Sequence, residues 1–248
     1  MRHPALIICS NPRSGSTVLC DLLAATGVAG RPKSWFRRQS IPDYAARFGL
    51  AEAQGEPAFS RAYLTAVLRE GSDASGRFAL RLMAETRPEL AERLAPLFPG
   101  ARTEWERFAA AFGAPLYLHL SRRDKLAEAI SLLRAEQTGL WHMGADGSER
   151  ERTAPAAPAV YDADRIATHL AALTAFEQGW ADWFTAAAVT PLTLAYEDLA
   201  ADPQAALARI LTALGEDPAR ATDIAPRTAR LADAESLDWA ARFATERG

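Results

Sequence analysis

Cysteine, net charge and long apolar runs are all scarce in this sequence, and each scarcity excludes a class of protein. Two cysteines in 248 residues, Cys9 and Cys20, have neither the number nor the spacing of a disulfide frame or a zinc site, so they read as small core residues. A formal net charge of −3 gives no support to nucleic-acid binding, and any basic site has to be local. No apolar stretch approaches the roughly 20 residues of a membrane-spanning helix. The stretch behind Arg2 and His3 is too short for a secretory signal, so a soluble cytoplasmic protein is expected. Repeats and low-complexity tracts are absent as well. What remains is ordinary globular composition, 49% hydrophobic and 24% charged, in a chain of the length expected for one α/β domain, residues 1–248.

The chain begins with its most telling segment. Ala5-Leu6-Ile7-Ile8-Cys9-Ser10 is an unbroken apolar run, which predicts a strand buried on both faces. Val18, Leu19, Leu22 and Leu23 have helical spacing. Between them lies Asn11-Pro12-Arg13-Ser14-Gly15-Ser16-Thr17, a turn of small and hydroxylated residues with one arginine. A strand, a tight loop and a helix N-terminus suit an anion, because first-turn amides lack intrahelical partners and the helix dipole favours negative charge there. Arg13 adds a charged fork, and Ser14, Ser16 and Thr17 add hydroxyl donors. Gly15 lets the backbone come close. The simpler reading is an ordinary strand-to-helix turn capped by Ser14 or Ser16. The Gly-Lys-Ser/Thr ending of a nucleotide-triphosphatase loop is absent, and no lysine stands where it would reach a γ-phosphate.

Further along, the pattern alternates. Helices are predicted over 42–54 and 60–70, from Pro88 to Phe98 and from Ala101 to Phe112, with a second strand from Phe78 to Met83. Leu116 to Leu120 is a third strand, followed by a helix from about Lys125 to Trp141. His142 to Pro158, rich in Gly, Ala, Pro and charge, reads as a mobile loop. A long helix covers about Ala163 to Ala188, with Ile166, Leu170, Leu173, Phe176, Trp180 and Trp183 near one face. Leu192 to Tyr196 is a last strand, Pro203 to Leu214 a helix, and a short helix runs around Leu237 to Thr245. Strands alternating with helices imply a mostly parallel central sheet flanked by helices.

The third strand runs into Arg122 and Arg123, and Ser131 follows about two helical turns later. In a parallel sheet this places an arginine on the same rim as the first loop. Two anion sites on one rim suit a ligand charged at both ends. The competing reading has Arg122 and Arg123 as solvated charges paired with Asp124 and Glu128.

Together these residues resemble the sulfotransferases that use 3′-phosphoadenosine 5′-phosphosulfate (PAPS). Arg13-Ser14-Gly15-Ser16-Thr17 resembles the family's 5′-phosphosulfate loop, and Arg122 with Ser131 resembles its pair for the 3′-phosphate. Tyr196-Glu197-Asp198-Leu199, then Asp202-Pro203 and a helix ending at Leu214-Gly215, is similar to the family's C-terminal segment. One branch is closer. Ala25 to Gly30 with Pro32, Ala129 to Thr138, and Asp238-Trp239 with Arg242-Phe243 resemble the bacterial trehalose 2-sulfotransferase family. The resemblance spans residue 5 to about 243.

It implies a P-loop-like sulfotransferase fold and a PAPS sulfate donor without a metal. It also implies a small hydroxylated acceptor, most naturally a carbohydrate, and a homodimer. Arg13 and the loop amides would take the sulfate and the leaving 5′-phosphate; Arg81 stands where the branch tends to carry a lysine. The branch's glutamate base falls on Ser34, whose hydroxyl is a poor base at neutral pH. Glu85 and His142 are the residues that would stand in for it. Two other readings remain: a nucleotide-binding relative that has lost or altered catalysis because of Ser34, and a small-molecule kinase, which the missing loop lysine opposes. The basic stretch around Arg31, Lys33, Arg37 and Arg38 reads as a solvated loop or as a contact for an anionic acceptor.

Overall fold

The architecture, from a computed structural model that describes residues 3–50, 57–227 and 233–247, is a four-stranded parallel sheet between helical layers. β1 (Ala5–Ser10), β2 (Phe78–Met83), β3 (Leu116–Ser121) and β6 (Leu192–Ala195) lie in the order β2-β1-β3-β6. β1 is central: Ala5 to Ser10 face Phe78 to Met83 on one side, and Leu6 to Ser10 face Leu116 to Leu120 on the other. β3 pairs with β6 from Leu118↔Leu192 to Ser121↔Ala195.

β1 shows no polar alternation because both of its faces are covered. Ala5, Ile7 and Cys9 enter a cluster with Trp35, Leu80, Phe108, Trp180 and Trp183. Leu6 and Ile8 enter a second one with Leu19, Leu22, Leu23, Leu207 and Ile210. The helices that cover the sheet are α1 (Ser16–Ala25), α2 (Ile41–Arg47), α3 (Ala58–Gly71), α4 (Arg87–Leu94), α5 (Glu104–Phe112), α6 (Lys125–Thr138), α7 (Ala163–Ala186), α8 (Tyr196–Ala201), α9 (Pro203–Ala213) and α10 (Ala234–Arg247). A third cluster joins α6, α7 and α10 through Ile130, Leu133, Ile166, Leu173, Trp239 and Phe243. The long apolar stripe of α7 is therefore divided. Its first half packs on α6 and α10, while Trp180, Trp183 and Phe184 pack on the sheet side.

Local chemistry sets the boundaries, and here the structure departs from the sequence pattern. α5 begins at Glu104 rather than Ala101, because Thr103 and Glu106 form a reciprocal capping box. α6 stops at Thr138, since Gly139 adopts a left-handed φ of 69°. Trp141 thus leaves the helix. The stretch read as a loop from His142 instead contains an antiparallel hairpin of β4 (Leu140–Met143) and β5 (Glu149–Arg152). Arg152 holds it, donating to the carbonyl of Thr138 at 2.6 Å. The predicted 42–54 helix ends at Arg47, and its last positions, 51–54, lie outside the described residues. Cys9 and Cys20 are buried free thiols, and among the described residues no helix is long and apolar enough to cross a membrane.

Arg77, 3% exposed at the start of β2, ties the N-terminal side of the sheet together. It pairs with Glu216 at 3.0 Å and donates to the carbonyls of His3 and Leu214, both at 3.0 Å, and of Val28. A buried charge is tolerable only with such partners. Arg77→Ala is expected to lower unfolding free energy by about 3–5 kcal/mol, read as the midpoint of urea unfolding at constant slope.

Candidate active site

Parallel strands place their carboxyl ends on one rim, and the candidate site opens there. A cavity of about 360 Å³ is lined by Arg13, Gly15, Ser16 and Thr17 from the loop and α1, and by Ser34, Arg81 and Glu85. Arg122, Ser131, His142 and Tyr196 complete its polar wall, with Leu132, Trp141, Ala172 and Phe176 as apolar surface. Ser14 is buried beneath the loop rather than on the cavity wall; its hydroxyl and amide close the turn on the carbonyl of Asn11, at 2.8 and 3.4 Å. So Ser14 shapes the loop from behind, while Ser16 and Thr17 meet the cavity.

Two residues of the loop have positive φ, Arg13 at 64° and Gly15 at 84°. At Gly15 a Cβ would lie 2.4 Å from Cδ2 of Tyr196, so glycine is required for space as well as for conformation. For Arg13 the left-handed backbone is a strain that its side-chain bonds offset. Its Nε donates to Ser131 Oγ at 3.0 Å, Nη1 donates to the carbonyl of Trp141, and the guanidinium lies 5.9 Å from the Trp141 ring. Gly15 is the N-cap of α1 with no side-chain cap, which leaves first-turn amides available to an anion.

Arg122 directly follows β3 and turns into the same cavity, 8% exposed, its guanidinium 4.9 Å over the Tyr196 ring. Its Nε is buried with no hydrogen-bond partner among the described residues, as expected of a donor kept for something outside the chain. Burial, then the like charge of Arg122, pulls the Arg13 guanidinium down to about 10. Arg123 goes the other way: it is exposed and pairs with Asp198. The two arginines therefore face different surroundings, and Ser131 stands in the cavity between Arg13, which it accepts from, and Arg122.

On the opposite side, Arg81 reaches from β2 and donates to Ser34 Oγ at 2.7 Å and to Thr17 Oγ1 at 2.8 Å. The segment carrying Ser34 is held beside β2 by a parallel bridge from Lys33 to Leu80 and by the Arg81 amide on the Lys33 carbonyl, 3.0 Å. Ser34 thus orients Arg81. Burial raises the Glu85 carboxyl above its ordinary range, and nearby Arg37 opposes that. His142 Nε2 lies 3.0 Å from Thr17 Oγ1. The imidazole is pushed down to about 3 by burial, then by Arg13, Arg81 and Arg150.

Behind the loop lies a partly buried network that the sequence pattern did not reveal. Asn11 accepts from Trp180 Nε1 at 3.1 Å and donates to Glu177 at 3.2 Å. Lys125 Nζ bridges Glu177 at 3.0 Å and the fully buried Glu128 at 2.9 Å. The only trace in the sequence is Glu128 standing beside the apolar stripe Ala129, Ile130, Leu132 and Leu133. Among the described residues, no group of three or more His, Cys, Asp or Glu is placed to hold a metal ion.

The model of a family described as Stf0 sulphotransferase matches residues 5–246. A trehalose 2-sulfotransferase of Mycolicibacterium smegmatis is 31% identical, with 97% of this chain and 95% of the relative covered. Another of that name from Mycobacterium tuberculosis is 29% identical, covering 98% and 95%. Among solved structures, a sulfotransferase from Alicyclobacillus acidocaldarius aligns over 99% of this chain and 93% of its own, with 16% identity and a TM-score of 0.44.

Burial raises the Glu128 carboxyl from 4.5 to about 7, against the pull of Lys125. Between those values the folded state holds a proton that the unfolded chain releases, so this group's stability contribution falls as pH rises from about 4.5 to about 7. Urea unfolding of the wild type and Glu128→Gln across that range should show the difference moving in favour of Gln as pH rises, then levelling off. A difference independent of pH would contradict this.

Proposed function

The chain belongs to the Stf0 sulphotransferase family, and from that premise we propose that it transfers a sulfuryl group from PAPS to a hydroxyl of a carbohydrate or a related small acceptor. All of residues 1–248 would form one sulfotransferase domain. The observation that carries the reading is the junction of Arg13, Arg122 and Ser131 in one cavity with the uncapped first turn of α1. Such a site is positive at two points and suits a nucleotide charged at both its 5′ and 3′ positions. The unpartnered Nε of Arg122 fits that nucleotide.

The donor supplies the sulfuryl group; the chain supplies position and charge. Arg13, Gly15, Ser16 and Thr17 hold the sulfate and the 5′-phosphate, Ser14 keeps their turn closed, and Arg122 with Ser131 takes the 3′-phosphate. Arg81, oriented by Ser34, stabilises the negative charge that spreads over the peripheral oxygens during transfer. Catalysis of this kind is mainly placement and electrostatics, as in phosphoryl transfer. Glu85 is the carboxylate on the acceptor side and offers a hydrogen-bond acceptor to an incoming hydroxyl. The relatives named as trehalose 2-sulfotransferases support a sugar acceptor. The capture of the Ser34 hydroxyl by Arg81 favours one second reading, a nucleotide-binding relative without turnover.

Calorimetry tests the donor end. 3′-Phosphoadenosine 5′-phosphate should bind more tightly than 5′-AMP or ATP, and preference for ATP would sink the proposal. Arg122→Ala removes a charge-assisted contact of about 1.5–3 kcal/mol, roughly 10- to 100-fold in affinity for the bisphosphate. Binding of 5′-AMP should change little. Equal weakening of both ligands would mean that Arg122 does not hold the 3′-phosphate. Sulfate transfer to any member of a sugar panel would exclude the second reading.

A further inference from the structure

Sulfuryl transfer leaves one requirement without a residue, the group that takes the acceptor's proton. This inference rests on the sulfotransferase reading and asks which side chain does so. Ser34 is already engaged by Arg81 at 2.7 Å, and Glu85 stands on the wall that Arg37 faces. The candidate set directly against the anion loop comes from the hairpin. β4 carries His142 into the cavity, where Nε2 lies 3.0 Å from the hydroxyl of Thr17 in the first turn of α1.

That hydroxyl has its own partner on the other side. Arg81 Nη1 donates to Thr17 Oγ1 at 2.8 Å, and a guanidinium can only donate. The hydroxyl proton is then free to point at Nε2, the acceptor that lies within reach. In this arrangement the imidazole carries its proton on Nδ1 and a lone pair on Nε2, at the mouth of the anion loop. Glu151, on β5, stands 3.4 Å from the same Nε2. A carboxylate there stabilises an imidazolium once it has formed.

We propose that His142 is the proton acceptor of the transfer and that Glu151 stabilises its protonated form. As the acceptor oxygen forms its bond to sulfur, the bond from sulfur to the 5′-phosphate oxygen breaks, and its electron pair leaves on that phosphate. The acceptor's proton passes to Nε2 and is returned to water before the next turnover. Thr17 yields its place to the acceptor hydroxyl, which enters the same hydrogen-bonding position.

The charges around His142 give this base a condition. Burial opposes protonation first, and Arg13 from the loop, Arg81 from β2 and Arg150 from β5 add to it; Glu151, 3.4 Å from Nε2, is the carboxylate that favours it. In the free protein the imidazole is therefore a weak base. A bound nucleotide bearing phosphate and sulfate offsets Arg13 and Arg81, and basicity rises only when the donor is in place. The base is armed by the donor.

Nitrogen NMR of the imidazole, assigned by its loss in His142→Gln, tests this without turnover. The free protein should show His142 neutral with Nε2 unprotonated. Saturation with 3′-phosphoadenosine 5′-phosphate should raise its protonation midpoint by about one pH unit or more, and Glu151→Gln should reduce that midpoint. With PAPS as donor, and trehalose and water as parallel acceptors, His142→Gln should bind the bisphosphate within about threefold of wild type. Its transfer should fall about 100-fold or more, the usual range for a lost general base. A proton resident on Nε2, or a midpoint that the bisphosphate leaves unmoved, overturns the assignment. Transfer abolished by Glu85→Gln but retained in His142→Gln would move the role to Glu85. A bisphosphate that fails to bind the wild type would overturn the donor reading itself, a result distinct from binding with an unmoved midpoint.

Discussion

Two guanidinium groups, of Arg13 and Arg122, share one half-dried cavity, and the surrounding structure is arranged to tolerate their repulsion. Like charges brought together under partial burial oppose folding. The chain offsets this with dipoles, π-faces and the charge of Glu151 on Arg13. The Trp141 carbonyl and Ser131 hydroxyl accept from Arg13, and the Tyr196 ring lies under Arg122. A carboxylate in those positions would cancel the charge and close the site to anions. Neutral partners hold the arginines in place and leave their field available.

Those partners come from three separate segments: α6 with Ser131, β4 with Trp141 and the start of α8 with Tyr196. The loop after β1 is itself secured from behind by α7, where Trp180 and Glu177 hold Asn11. Charge at the front of the loop and hydrogen bonds at its back therefore act on the same short turn. α7 also contributes Ala172 and Phe176 to the cavity wall, so one helix spans the anchor and the apolar surface.

Much of the fold was legible because it rests on local signals. The six apolar residues of β1, with no alternation, announced a strand covered on both faces. Arg13, Gly15 and Thr17 were legible for the same reason, lying between a strand and a helix whose patterns are both strong. Helical spacing and a parallel sheet put Arg122 and Ser131 on the same rim, but their pairing for an anion came from the resemblance to the sulfotransferases. The hairpin after α6 was not legible, since Glu149-Arg150-Glu151-Arg152 has no apolar face and is held by a bond to Thr138 just ahead of β4 and by one to Asp21, 129 residues away in sequence. Nor was the partly buried set of Asn11, Lys125, Glu128 and Glu177, because charged residues in a helix read as solvent-facing until tertiary contacts enclose them. The same limit applied to Arg77, whose partners lie 49 to 139 residues away in most of its bonds.

The short bridge between Lys33 and Leu80 has a consequence for assembly. β2 is an edge strand, and an edge with open backbone donors and acceptors invites pairing with another chain. Residues around Lys33 lie along that edge as a rudimentary fifth strand, and the amide of Arg81 is satisfied by the Lys33 carbonyl. The segment that orients Arg81 through Ser34 is thus also the guard of the sheet's margin. Substitutions that reshape this segment would loosen that guard, so the orientation of Arg81 and resistance to strand-to-strand aggregation are written into the same few residues.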